Sequence, residues 1–179
     1  MEIIRYMTEF TQIDLKLKNS WKVWYHKQDE ASWEENSYLP IYEFSTLRDF
    51  YGFMNSFIYL PQFLNGFYFI MRDDIKPVWE DERNKSGGCF SIKVAKENTD
   101  NYFWDIFTHM VSNELFTLYN DTITGISVVP KKYNAIIKIW NNNSNICSSH
   151  LLNKRLSYIV STDITYRAHL KNINFGKDC

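Results

Sequence analysis

"GISVVPKKYNAIIKIW", Gly125 to Trp140, reads as two β-rich runs joined around Lys132 to Asn134, although that turn is not one of the strong two-residue types. A hairpin here commits the chain to antiparallel pairing, and two more stretches fit the same sheet. "WKVWYHK" alternates Trp21, Val23 and Tyr25 with Lys22, Trp24 and His26. "GCFSIKVA" sets Phe90, Ile92 and Val94 against Ser91 and Lys93. Both are expected to be half-buried strands. The period changes in "STLRDFYGFMNSF", where Ser45 or Thr46 caps a helix whose Leu47, Phe50, Met54 and Phe57 share a face. In "TDNYFWDIFTHMVSNEL" Phe103, Ile106, Phe107, Met110 and Val111 do the same, and a third, weaker helix is expected in "CSSHLLNKRL". The result is an α+β fold, an antiparallel sheet with its helices on one side.

At 179 residues, 45% of them apolar and 17% aromatic, the chain suffices for one domain with a sizeable core. It holds no repeat and no Pro/Gly-rich linker, and "NNNSN" at Asn141 to Asn145 is short enough for a loop. We expect a single domain over 1–179, with 1–18 a loosely ordered segment. Twenty Lys and Arg against 21 Asp and Glu give a net charge of −1, which argues against gripping long nucleic acid by its phosphates. Cys89, Cys147 and Cys179 are widely spaced and fit no metal pattern, so a reducing compartment is expected. The N-terminus lacks a signal-like apolar run and no stretch is long enough to span a bilayer, so the expectation is a cytoplasmic protein without membrane contact.

The tryptophans carry the functional signal. Trp21 and Trp24, three apart in a strand, point to opposite faces. Trp33 lies in the polar "DEASWEENS", and Trp79 in "PVWEDERNKSGG", Pro77 to Gly88, where an indole sits directly before three acids. A loop tryptophan often folds back to seal a core edge. Two of them in acidic loops suit another task, since rings about 7 Å apart hold a flat aromatic between them, and a cationic one best. A third reading, Glu80 and Glu82 as acid and base, would need a metal or second polar group to activate water. No metal-ligand spacing is present, so neither catalysis nor a cofactor is expected.

"PVWEDERNKSGGCF", with "SWKVWYHK", Ser32-Trp33, "TLRDFYGFMN" and "GISVVPKKYNAIIKIW", resembles the eukaryotic translation initiation factor 4E family, from about Ser20 to about Tyr166. The resemblance implies a cupped antiparallel sheet of about eight strands, three long helices on its convex face, and a slot for the 7-methylguanosine cap of mRNA on the concave one. Trp33 and Trp79 would sandwich the base, whose methylation makes it cationic. Glu80 would accept its two edge hydrogens, the Trp79 backbone N–H would bind its carbonyl, and Trp140 would touch the methyl. Asp81 and Glu82 are expected to be solvated or paired with Arg83 and Lys85, and Gly87 and Gly88 to turn into the next strand. For the phosphates, Lys131 matches the first basic position of the family. The second falls on Ile136, and Cys89 stands where many members are basic. That charge is expected from Lys132, Lys138, Arg167 or Lys171.

The resemblance also implies a convex-face patch for a partner helix of the initiation factor 4G type. Leu47, Tyr51, Trp104 and Asp105 fall there. Tyr51 replaces a usual tryptophan, Asp105 and His109 stand where leucines are usual, and Ile106 replaces an acid. An unpaired carboxylate under an apolar helix costs about 1–3 kcal/mol, so weak scaffold binding is expected, or a dedicated partner with a basic residue opposite Asp105. The implied function is cap binding in translation initiation. The alternative is a repressor or specialised factor that does not engage the usual scaffold, and the remote one an enzyme acting on capped substrates.

Overall fold

The computed structural model describes residues 15–58, 66–160 and 164–170. Within them run β1 (Lys16–Lys27), β2 (Leu39–Thr46), α1 (Leu47–Ile58), β3 (Gly66–Arg72), β4 (Gly88–Ala95) and α2 (Thr99–Val111). There follow β5 (Ile123–Pro130), β6 (Asn134–Asn141), a short α3 (Ser157–Val160) and β7 (Ile164–Ala168). The seven strands described form one antiparallel sheet in the order β2-β1-β3-β5-β6-β4-β7.

The period-two patterns place side chains on two faces. Trp21, Val23, Ile70, Phe90, Ile92, Val94, Ile137 and Ile139 point to the helix side, where Phe50, Phe53, Phe103 and Phe107 close over them. Phe107 meets Phe44 edge-on at 6.0 Å and 89° and Phe50 tilted at 5.4 Å and 54°, contacts that tie the two long helices to the sheet. The opposite, front face carries a smaller cluster of Trp24, Phe67, Phe69, Met71, Cys89 and Trp140. Trp21 and Trp24 thus end in separate cores, as their spacing requires.

Thr46 is the helix cap: its Oγ1 accepts from the Asp49 N–H at 3.1 Å and donates to the Asp49 carboxylate at 2.8 Å. The β5–β6 hairpin turns through 131–133 and is closed by Lys131 N–H donating to Asn134 O at 2.8 Å.

Several expectations need correction. The third helix does not run through Cys147 to Leu156; that stretch makes two 3₁₀ turns, Ser149–Leu151 and Lys154–Leu156, and α3 follows with four residues. Asn153 caps the second turn by accepting from Arg155 N–H, which breaks the stretch in two. Lys16 to Lys18, expected to be loose, belong to β1, while 1–14 fall outside the described residues. Cys147 is disulfide-bonded rather than reduced. The side chain of Phe57 also lies outside the described set. Gly87 and Gly88 need no unusual turn, since neither has positive φ. They are required by space: a Cβ on Gly87 would lie 1.7 Å from the Asn141 carbonyl oxygen, and one on Gly88 2.4 Å from that of Arg167.

Candidate functional site

Trp79 stands on a loop whose Asp81 and Asn84 are spent on its own backbone. Asp81 accepts from the N–H groups of Lys76 at 2.9 Å and Arg83 at 2.8 Å. The buried Asn84 amide donates to the carbonyls of Lys76 at 3.0 Å and Val78 at 2.9 Å. Glu82 pairs with Lys85 at 2.5 Å and Asp81 with Arg83 at 3.7 Å, as expected. The loop is thereby a rigid tip, and Trp79 projects from it 46% exposed. Glu80, also exposed, has no hydrogen bond or ion pair among the described residues. Its charge adds to burial in pushing the Tyr38 hydroxyl up to about 12, so the two groups are near neighbours.

Trp33 is held differently. Its indole lies flat on His26, ring centres 4.1 Å apart and planes 9° apart, and partly over Phe67 at 5.2 Å and 30°. Tyr38 meets it edge-on at 6.4 Å. It remains 52% exposed. The loops of Trp33 and Trp79 are joined by an ion pair, Lys76 Nζ to Glu35 Oε1 at 2.9 Å, and that ammonium passes 5.3 Å over the Trp24 ring on the sheet floor.

Beside Trp79 opens a cavity of about 560 Å³, floored by Cys89, Ser91, Lys138 and Trp140 and walled by Thr165 to His169 of β7 and its end. Register explains this set. Cys89 of β4 pairs with Trp140 of β6 and with Arg167 of β7, and Ser91 pairs with Lys138 and Thr165, so all face the same way. Trp140 is buried and donates its indole N–H to Ser127 Oγ at 3.0 Å. Cys89 Sγ lies 3.8 Å from His169 Nε2. Burial pushes the thiol up to about 12 and, with Lys138, pulls the imidazole down to about 4. Both groups are neutral near pH 7, a poor nucleophile and base.

The structure therefore gathers Trp79, Trp140, Lys138 and Arg167 around one cavity, with Glu80 at the tip beside it. Lys131 and Lys132 are exposed in the hairpin loop and lie outside the lining, and Lys171 is outside the described residues. Trp33 does not line the cavity either; it stacks on His26 and, more loosely, on Phe67. His26, Tyr38, Lys76 and His169 were missed by the sequence reading. For His26 a signal existed, since it shares the strand face of Trp24.

The profile of a family described as Eukaryotic initiation factor 4E matches residues 16–178. The chain belongs to the eukaryotic initiation factor 4E family. Eukaryotic translation initiation factor 4E-1B of Danio rerio is 32% identical over 139 residues, 74% of this chain and 64% of that protein. Human eukaryotic translation initiation factor 4E is 32% identical over 129 residues, 69% of this chain and 59% of its own length. The chain thus spans less than two thirds of these two initiation factor 4E relatives. Among solved structures, Caenorhabditis elegans eIF4E-3 in complex with the 4E-binding protein Mextli and cap analog superposes with TM-score 0.72 at 24% identity, over 86% of this chain and 92% of that one. Ascaris suum eIF4E-3 with m7G cap gives 0.70 at 22% identity, over 89% and 94%. These likenesses establish the initiation factor 4E fold, an α+β sheet backed by helices.

On the helix side of this initiation factor 4E fold, Leu47 is half-buried at the start of α1 and Tyr51, one turn on, is 56% exposed. Phe53 of α1 meets Trp104 of α2 at 6.2 Å, so the helices lie side by side. Asp105 is exposed, but its carboxylate accepts a hydrogen bond from the Tyr158 hydroxyl of α3. The expected bare carboxylate is therefore absent, and the desolvation cost assigned to it shrinks. His109 Nδ1 meets the Asp105 backbone carbonyl at 2.8 Å.

Proposed function

We propose that this chain is a cap-binding domain over 1–179 that holds the 7-methylguanosine 5′ cap of mRNA in translation initiation, without catalysis, in the cytoplasm. The observation that carries this reading is Trp79, exposed on a rigid tip next to an unengaged Glu80, at the mouth of a cavity that holds Lys138 and Arg167. A methylated guanine stacked on Trp79 places its cation over a π-face, a contact worth about 2 kcal/mol once desolvated. Glu80, one residue on, accepts the in-plane N–H groups, and Trp33 closes the sandwich with its open face. The phosphates run toward Arg167, which pairs with Cys89 from β7, and Lys138, which pairs with Ser91 two residues on, while Cys89 itself supplies no charge. Capped mRNA and a helix-bearing scaffold of the 4G type are the partners on the two faces.

Retention on a 7-methylguanosine triphosphate resin tests this, with elution by free cap analogue and poor competition by the unmethylated nucleotide. Trp79→Ala and Glu80→Ala should lose retention, each costing about 1–3 kcal/mol. Variants that stay on the resin as the parent does would refute the slot.

A further inference from the structure

We propose that His26 is the positioning residue of Trp33: it covers one face of the indole and clamps, through the Ser32 carbonyl, the loop that carries it. The functional meaning rests on the cap-binding reading of Trp33, whereas the clamp itself is a property of the free protein.

His26 is fully buried on β1, paired in register with Phe67 of β3, and the two rings lie 5.8 Å apart. A phenylalanine would fill such a place with no polar atoms to satisfy. Here both ring nitrogens are used, Nδ1 at 2.8 Å from Lys27 O and Nε2 at 2.8 Å from Ser32 O. A carbonyl only accepts, so the clamp on Ser32 requires the proton on Nε2. Ser32 is the residue directly before Trp33. Its N–H is also fixed, donating to the Glu30 carboxylate at 2.9 Å. The peptide leading into Trp33 is thus held at both ends, while the indole is pressed on the imidazole at 4.1 Å and 9°. Among the described residues no carboxylate forms an ion pair with His26, and Tyr38, 5.0 Å away, keeps its proton.

Two consequences follow. His26 and Phe67 are neighbours on one sheet face and take the same side of Trp33, so the wall has one free face and admits a single flat ring. A wall fixed beforehand spares the ligand the ordering of that loop.

Two measurements on the full chain test the clamp. In the free protein, proton NMR should place the carbon-bound ring hydrogens of His26 upfield through the Trp33 ring current, with Nε2 protonated. Trp33→Ala should return them, and unchanged shifts would overturn the proposal. In titrations with 7-methylguanosine triphosphate, His26→Phe keeps a flat ring under the indole but removes the clamp, and should weaken binding roughly threefold to tenfold. In a Trp33→Ala background the same change should cost nothing further; an equal loss there would make His26 merely structural and overturn its role. If the parent binds no cap analogue, the cap-binding reading falls, and the ring-current measurement still decides the clamp.

Discussion

Cys89 and His169 look like a reactive pair by distance, and their surroundings disarm them. Desolvation raises the thiol and lowers the imidazole, so the 3.8 Å contact joins two neutral groups in the cavity lining. In the unfolded chain His169 titrates at its ordinary 6.5, in the folded chain at about 4, so between these values the unfolded state binds more protons. Stability is complete above pH 6.5 and declines as pH falls toward 4. Thermal melts over that range should fall less steeply in His169→Gln than in the parent. Lys138 and Arg167, the cations of the cavity, set a second expectation at this scale. The gain in affinity from mono- to triphosphate cap analogue, read by tryptophan fluorescence, should drop in Lys138→Ala and Arg167→Ala. It should persist in Lys131→Ala and Lys132→Ala, whose lysines sit in the hairpin loop outside the lining. Equal losses at all four positions would contradict this.

At the scale of elements, the site depends on two loops meeting across the sheet. Glu35 and Lys76 are both partly exposed, so the pair should be worth about 0.2–1 kcal/mol. Lys76→Glu should weaken cap-analogue binding by about twofold to fivefold, and adding Glu35→Lys should restore it. High salt should erase the difference. If the double variant is no better than the single, the pair does not set the slot. Strands and long helices were legible because burial on one face imposes a period, as in "GCFSIKVA" and "TDNYFWDIF". The 3₁₀ turns before α3 were not, because Asn153 answers backbone groups locally and periodicity says nothing about that. Trp79 and Glu80 stood out from the motif, and the fold sets both exposed on one loop. The Glu35–Lys76 pair was not, because 41 residues separate partners that only the folded sheet brings together. The glycine pair was rightly singled out for the wrong reason, since crowding by Asn141 and Arg167 is invisible before β4 has neighbours.

For the molecule as a whole, the sheet separates two surfaces, a front face floored by Trp24 and Trp140, where the proposed ligand would sit, and a helix face packed by phenylalanines. A scaffold helix would meet Leu47, Tyr51 and Trp104 on the second. Asp105 interrupts that apolar surface, and Tyr158 compensates its charge only in part, because both remain exposed. Calorimetry with an amphipathic peptide bearing a Tyr and a Leu pair should show weak binding by the parent and a gain of about 1 kcal/mol in Asp105→Leu. Tight binding, unchanged by that substitution, would restore an unmodified scaffold groove and remove any case for a specialised factor.

The strand order has a kinetic meaning. The β5–β6 hairpin closes through three residues, 131–133, and forms from local contacts, whereas β4 must slide between β6 and a β7 that arrives late in the chain. The contact of Cys89 with His169 spans 80 residues, so the edge enclosing the cavity belongs to the slow, non-local part of folding. A ligand seated there recognises only the finished sheet. Each tenfold excess over its dissociation constant then adds about 1.4 kcal/mol to the native state, and it does so at a seam whose strands lie far apart in the chain.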